Sequence, residues 1–245
     1  MLSACDRVFG LDDVHAPDAR TGYSAVVLAD QPAAYWRLGI ASTMTAIDET
    51  GNGNTGMFLG GASPGAAGAI IGDNDTAVMF DGVDDCVSMG NRLSFEARAL
   101  YSLEAWVKPT MNASYAGVIS KAEENGAGTV RKGYKVFSDS SAVGSERSDG
   151  TFVQDARTGK LPLDAWSYVV VTYNGTDLTL YIDGVFQTTT PHQIAIPATS
   201  TAFAIGGRNG CAHSFFIGAL DEVAVYDYAL EPAQIENHRR VALGQ

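Results

Sequence analysis

The sequence predicts an all-β fold in which two antiparallel sheets stack as a sandwich. Three observations predict it. From Tyr23 onward the apolar runs are short and rich in valine, isoleucine and aromatic residues. Gly, Asn, Asp and Pro interrupt them repeatedly, which is the punctuation of strands and tight turns. No long helical pattern separates the runs, which argues against a parallel α/β arrangement.

In chain order, residues 1–24 are mixed and weakly patterned, and they predict an N-terminal arm ahead of one sandwich domain over 25–245. Strands are expected at 33–38 (AAYWRL), 76–81 (TAVMFD), 85–89 (DCVSM), 101–108 (YSLEAWVK), 115–121 (YAGVISK), 133–138 (GYKVFS) and 150–156 (GTFVQDA). The clearest stretch follows. WSYVVVTY reads as a buried strand, and Asn174-Gly175 supplies a turn. In LTLYID, Leu178, Leu180 and Ile182 then alternate with Thr179, Tyr181 and Asp183. Asp183-Gly184 turns the chain again into GVFQTTT, so 166–190 predicts a meander of two hairpins. Further strands are expected at 201–207 and 215–228. One helix closes the chain at about 231–241. Pro232 fits its first turn, Leu230, Ile235 and Val241 offer an apolar stripe, and Glu236, Arg239 and Arg240 stay solvated. Its expected role is to cover a sheet edge or end.

Composition limits what the domain can meet. The 245 residues are 46% hydrophobic and 18% charged, enough for one sandwich to bury its core without staples. The 27 glycines follow no period, which excludes collagen-like and low-complexity readings. Net charge is −12, so phosphate backbones and anionic lipid are repelled and no nucleic-acid partner is expected. No apolar run is long enough to cross a bilayer, so no membrane insertion is expected. The acidic balance suits hard cations such as calcium, or simply keeps the protein soluble. Three cysteines, Cys5, Cys86 and Cys211, are too few and scattered for a disulfide framework or zinc site. The expectation is three free thiols, with a single Cys86–Cys211 bridge as the alternative. The N-terminal residues carry acids early and lack an apolar secretory core, so they do not read as a signal peptide.

Seven fragments occur in an order with a known counterpart: AAYWRLG (33–39), DETGNGNTG (48–56), AVMFDGVDDCVSMG (77–90), YSLEAWVKP (101–109), WSYVVVTYNGTDLTLYIDG (166–184), FAIGG (203–207) and IGALDEVAVYDYAL (217–230). In this register the chain resembles the laminin G-like jelly rolls of the concanavalin A-like lectin and glucanase superfamily. The resemblance spans about 33–240 and implies a two-sheet jelly roll whose first and last strands lie close together. Cys86 stands where the family usually has an aromatic residue, and 121–150 reads as an enlarged polar loop region. The family binds sugars, proteins or other ligands, so the resemblance specifies fold more closely than partner.

Catalysis is not expected. The superfamily's polysaccharide-cleaving enzymes resemble one another in a Glu-x-Asp-x-Glu strand motif, whose spacing puts the acids on one face. This chain has no such triplet. Asp221 and Glu222 are adjacent and should point to opposite faces, while Asp81, Asp84 and Asp85 surround a Gly turn. His15, His192, His213 and His238 sit singly, and GNGNTG does not open a helix.

A structural calcium site is expected instead. In DETGNGNTG, Asp48, Asn52 and Asn54 offer oxygens every few residues, and glycines let backbone carbonyls join them. The resemblance suggests that this loop meets the last long strand near Asp221, with the ion between them. In a regular strand Asp221 would share a face with Ile217, Val223 and Val225, where a carboxylate needs a partner. The alternative is that Asp48 and Asn52 organise a turn and Asp221 caps backbone N–H groups.

Two polar segments form the expected ligand surface: 121–150, with Arg131, Tyr134 and Arg147, and 206–214, with Arg208, Asn209 and His213. These side chains suit sugar hydroxyls. Trp36, Trp106 and Trp166 lie in strand motifs and read as core. The functional expectation is a non-catalytic module that recognises a glycan or surface receptor. It would be displayed outside cells on a phage virion, with a bacterial cell surface as the alternative. A virion decoration or tail component, docking to other subunits through the N-terminal arm, is the second reading. A polysaccharide-cleaving enzyme is the third.

Overall fold

The computed structural model describes residues 22–39, 44–111, 114–125 and 131–245. A helix, α1 (Tyr23–Ala29), opens the described chain. It leads into β1 (Ala34–Trp36), β2 (Thr45–Ala46), β3 (Gly56–Leu59), β4 (Ser63–Ala67), β5 (Thr76–Asp81), β6 (Cys86–Ser88), β7 (Tyr101–Pro109) and β8 (Ala116–Glu124). Then come β9 (Arg131–Ser138), β10 (Ala142–Asp149), β11 (Val153–Gly159), β12 (Ser167–Tyr173), β13 (Asp177–Ile182), β14 (Val185–Pro191), β15 (Ala204–Ile205) and β16 (Ile217–Tyr226), and α2 (Pro232–Ala242) ends the fold. The first sheet runs β14-β13-β12-β7-β16-β5-β4, with β1 paired to β16; the second runs β11-β10-β9-β8-β15-β6-β3-β2. Every strand pair is antiparallel, and Ala34 lies opposite Val225, so the first and last strands adjoin.

The core follows from alternation. Phe58, Val87, Ile205, Ile119, Val136 and, across Ser145, Ala156 lie in one row of the second sheet and face Leu103, Val107, Val171 and Leu220 of the first. Trp36 is buried among them and stacks on Phe203 with centroids 5.6 Å apart. The meander forms as its sequence predicts: β12 pairs with β13 and β13 with β14. At its second corner both Asp183 and Gly184 adopt positive φ, the conformation a tight hairpin requires.

The outer face of the first sheet is a second apolar layer. Trp106, Tyr168, Val170, Ala224 and Tyr226 meet Tyr23 and Val27 of α1, and Ile235 and Ala242 of α2. Trp166 is partly buried against this layer. The C-terminal helix therefore covers the middle of a sheet face, not an edge or end. Glu231 and Gln234 close a capping box at its start. The helix α1 was not expected; it begins inside the segment read as an arm, and residues 1–21, with Cys5 and His15, lie outside the described residues.

Two further expectations are corrected. Residues 121–150 are not an enlarged loop, because β8, β9 and β10 occupy most of that span and their polar side chains are largely buried. The charges there satisfy one another, so the usual equation of polar with solvent-exposed fails. Asp221 and Glu222 do not diverge either. The pairing of β16 with β7 shifts between Asp221 and Ala224, and Glu222 has φ 50. This bulge turns Asp221 to the outer side, opposite Trp106, while Val223 and Val225 remain in the core. No helix among the described residues is long and apolar enough to cross a membrane.

Candidate functional site

One row of paired residues crosses the outer face of the second sheet: Met57, Ser88, Ala204, Ser120, Lys135, Glu146 and Asp155. Side chains directly opposite one another share a face, so the row passes from apolar to charged. At its charged end Lys135 Nζ donates to Glu124 Oε1 at 2.7 Å and contacts Glu146 Oε2 at 2.9 Å. Arg208 grips Glu124 with both Nε (3.1 Å) and Nη2 (2.5 Å), and Arg131 Nη1 donates to Glu146 at 3.3 Å. Tyr115 lies within this group. Its ring stacks on Phe137 at 4.3 Å, with Arg131, Lys135 and Arg208 at 4.7–5.3 Å from its centroid.

Burial sets the electrostatics. Desolvation pushes Lys135 down to about 7, helped by the Arg208 charge, and pushes Glu146 up to about 7. For Glu124, burial acts upward but hydrogen bonds from Arg208 and Lys135 outweigh it and hold its carboxyl low. Burial also lowers His213. Glu124 and Glu146 thus share one lysine ammonium. A glycosidase needs the space between its two carboxylates open to the scissile bond; here Lys135 fills it.

The loop 206–214 borders this face, and a disulfide between Cys86 and Cys211 holds it there, with Cα atoms 5.8 Å apart. The expectation of three free thiols is corrected. A separation of 125 residues says nothing about distance in space. The pairing of Ile205 with Val87 is what brings the loop after β15 beside β6.

Three of the six expected ligand residues converge on Glu124, and a fourth on its neighbour Glu146. Arg208 binds its carboxylate, and His213 Nε2 lies 3.6 Å from Oε2. Asn209 Oδ1 accepts from the Glu124 N–H while its Nδ2 donates to the Glu124 carbonyl. Arg131 joins through Glu146. Tyr134 and Arg147 do not join them, since each is one residue out of phase and points inward. The Tyr134 hydroxyl donates to the Leu93 carbonyl and its ring stacks on Tyr101. The Arg147 guanidinium lies 3.6 Å from the Tyr173 ring centroid and donates to Ala97. Sequence reading missed Tyr115, Glu124, Lys135, Glu146 and Arg157. Alternation within RKGYKVFS, with Tyr134 and Val136 against Lys135 and Phe137, is the signal that would have found Lys135.

The expected calcium ligands fall in two places. Asp48 Oδ1 accepts from Thr50 N–H and Oγ1, and Oδ2 accepts from Asn54 N–H. Asn52 and Asn54 both donate through Nδ2 to the Ala33 carbonyl. Asp48 thus organises its own loop. Asp221 instead stands with Asp75 and Glu222, their ligand atoms within 4.8 Å of one another. Its Oδ2 accepts from Ala69 N–H at 2.8 Å, while Oδ1 is buried with no hydrogen-bond partner among the described residues. Burial pushes its carboxyl up to about 7. Arg37 offsets the neighbouring acids, contacting Asp73 (2.6 Å), Asp75 (3.1 Å) and Glu222 (3.2 Å).

Comparison with known proteins agrees with this architecture. A laminin G family model, described as concanavalin A-like lectin/glucanases superfamily, matches residues 80–236. No curated protein matches the sequence. Among solved structures, the binding domain of Paraclostridial Mosquitocidal Protein 1 is similar with a TM-score of 0.67 at 15% identity, over 87% of this chain and 52% of that one. Domain 4 of AbnA, a GH43 extracellular arabinanase from Geobacillus stearothermophilus solved with arabinotriose, has a TM-score of 0.57 at 20% identity, over 85% of this chain and 98% of that one. The botulinum neurotoxin serotype G binding domain gives 0.63 at 10%, over 86% and 51%. The chain therefore spans about half the length of the two toxin binding domains and nearly all of the arabinanase domain. At these identities the likeness is one of fold. The family model matches more than half of the chain, and this chain therefore belongs to the laminin G-like family of the concanavalin A-like lectin/glucanase superfamily.

Proposed function

We propose that this domain is a non-catalytic carbohydrate-binding module that takes its ligand on the outer face of the second sheet, beside the 206–214 loop. The carrying observation is the convergence of Arg131, Arg208, Asn209 and His213 around Glu124 and Tyr115 on that face. Tying Glu124 and Glu146 to one ammonium favours recognition over glycoside hydrolysis. The arabinotriose complex of an arabinanase domain with this fold supports a saccharide as the ligand class. The Cys86–Cys211 bridge supports a site of action outside the reducing cytosol, where a module displayed on a cell surface or virion would meet its ligand. A glycan array tests the reading. The intact chain should bind a restricted set of glycans, and Arg208→Ala should abolish the signal; no binding across a broad array overturns it.

We also propose a structural calcium ion, held by Asp75, Asp221 and Glu222 and not by Asp48, Asn52 and Asn54. Asp221 is only 2% exposed and its Oδ1 has no donor among the described residues, so a hard cation could take its lone pair. The residues fit: three carboxylates meet one guanidinium, leaving negative charge for an ion to offset. Thermal midpoints in EDTA and in added calcium should differ by several degrees, about what a ligand in large excess over its Kd gives. Asp221→Asn should remove the difference. Equal midpoints for the unaltered protein would rule the ion out.

A further inference from the structure

We infer that the space between the two sheets, where β10 faces β7 and β12, binds a small monovalent anion such as chloride, held by the Arg147 guanidinium and the Tyr101 hydroxyl. The site is separate from the proposed glycan face. Arg147 lies opposite Tyr134 in the β9–β10 pairing and, like it, points between the sheets. The side chain is fully buried. Its Nη2 donates to the Ala97 carbonyl, but Nε and Nη1 have no hydrogen-bond partner among the described residues. Two further buried polar atoms near the same Tyr173 ring are also without partners there, the Tyr101 hydroxyl and His192 Nδ1. Buried polar atoms are nearly always paired, so unpaired ones gathered in one place mark a position for water or an ion.

Charge decides between water and an ion. A guanidinium cannot shed its proton, so burial leaves Arg147 positive, and a buried charge is costly unless it is paired. No carboxylate among the described residues pairs with it. Asp149, whose charge reaches His192, is held at its own turn by the N–H groups of Thr151 and Phe152. Arg98, whose charge reaches Tyr173, is a second cation. Burial lowers His192, which therefore adds no compensating charge. The rings of Tyr173, 3.6 Å from the guanidinium carbon, and Tyr101, at 5.3 Å, offset part of the cost. They attract the flat of the guanidinium, however, and leave the N–H groups on its edge unfilled. Burial raises the Tyr101 phenol above its ordinary value although Arg147 pulls it down, so the hydroxyl keeps its proton and can donate. Water would fill these donors and leave the charge. A small anion answers both, and it would tie β10 of the second sheet to β7 of the first.

The test compares thermal midpoints of the intact chain in sodium chloride and in sodium gluconate, whose anion is too large to enter, at equal ionic strength. Chloride should raise the midpoint by several degrees, and the rise should level off as one site fills. Crystals soaked in sodium bromide should show anomalous density beside Arg147 Nε and Nη1. Arg147→Met, which keeps the length and removes the charge, should lose both signals. Tyr101→Phe removes only the hydroxyl and serves where Arg147→Met does not fold. It should raise the chloride concentration at half the rise about tenfold, the scale of one charge-assisted hydrogen bond. Equal midpoints in chloride and gluconate overturn the inference even if bromide density appears, since that density then marks an adventitious ion only. Density beside Arg147 without an anomalous signal overturns it as well, because water then fills the donors. A chloride response that survives unchanged in either variant puts the ion elsewhere and overturns the assignment.

Discussion

Replacing Glu104 by alanine lowers the unfolding free energy by about 3–5 kcal/mol, the cost of removing one partner from a buried charge pair. Glu104 is fully buried beneath the two helices. It accepts from the Tyr23 hydroxyl (2.6 Å) and the Tyr226 hydroxyl (3.1 Å) and faces His238 Nδ1 at 3.0 Å. On its other side, His238 Nε2 meets Asp30 Oδ2 at 3.0 Å. The substitution strands an imidazolium and two hydroxyls, and it unfastens both helices from the first sheet. For His238 burial acts downward, but the two carboxylates outweigh it and raise the imidazole above its ordinary value. For Glu104 burial acts upward, and His238 with the two tyrosines outweighs it and holds the carboxyl low. The signs follow from linkage. The histidine's contribution is complete below about 6.5 and is lost as pH rises through its raised folded value. The glutamate's is complete above the ordinary carboxylate range and is lost as pH falls through its lowered value. Urea midpoints followed across pH should therefore decline at both ends, and His238→Ala should flatten the alkaline decline. An unchanged alkaline limb in that variant would remove His238 as its source.

Changing Cys86 and Cys211 together to serine costs about 2–5 kcal/mol, as loss of a native bridge closing a long loop generally does. The bridge spans 125 residues, including β7 to β15. Its second effect is local. The loop it anchors carries Arg208, Asn209 and His213, all of which contact Glu124. On the proposed reading, glycan binding should fall further than the loss of folded protein accounts for. Unfolding curves with and without reductant, beside titrations under conditions where the variant is fully folded, separate the two effects. Equal affinity in the folded variant would show that the loop keeps its place without the bridge.

Legibility in the sequence tracked how far local rules governed each element. The meander over β12, β13 and β14 was plain because alternation and an Asp-Gly corner acted within a few residues. The helix α2 was plain through Pro232 and Ile235, though the same stripe carried His238, whose burial depends on a partner 134 residues away. The strand at 133–138 was legible as β9, but β10 was hidden because its charged Glu146 finds Lys135 across the sheet. With β10 read as part of a polar loop region, the pairing that sets the phase of both strands was lost. Tyr134 and Arg147 were then taken for surface residues, and their neighbours, which do reach the outer face, were passed over. Asp221 and Glu222 were misplaced for a different reason: a bulge with a left-handed glutamate breaks the two-residue period, and Glu gives no hint of it.

The two helices that pack on each other also fix how the domain can be handled. Both lie on the first sheet, so Gln245 leaves the molecule on the side away from Lys135 and Arg208. A tether, biosensor tag or neighbouring domain joined after that residue would hold the sandwich by its back. The charged side would then look outward into the medium, in the orientation an immobilised probe needs.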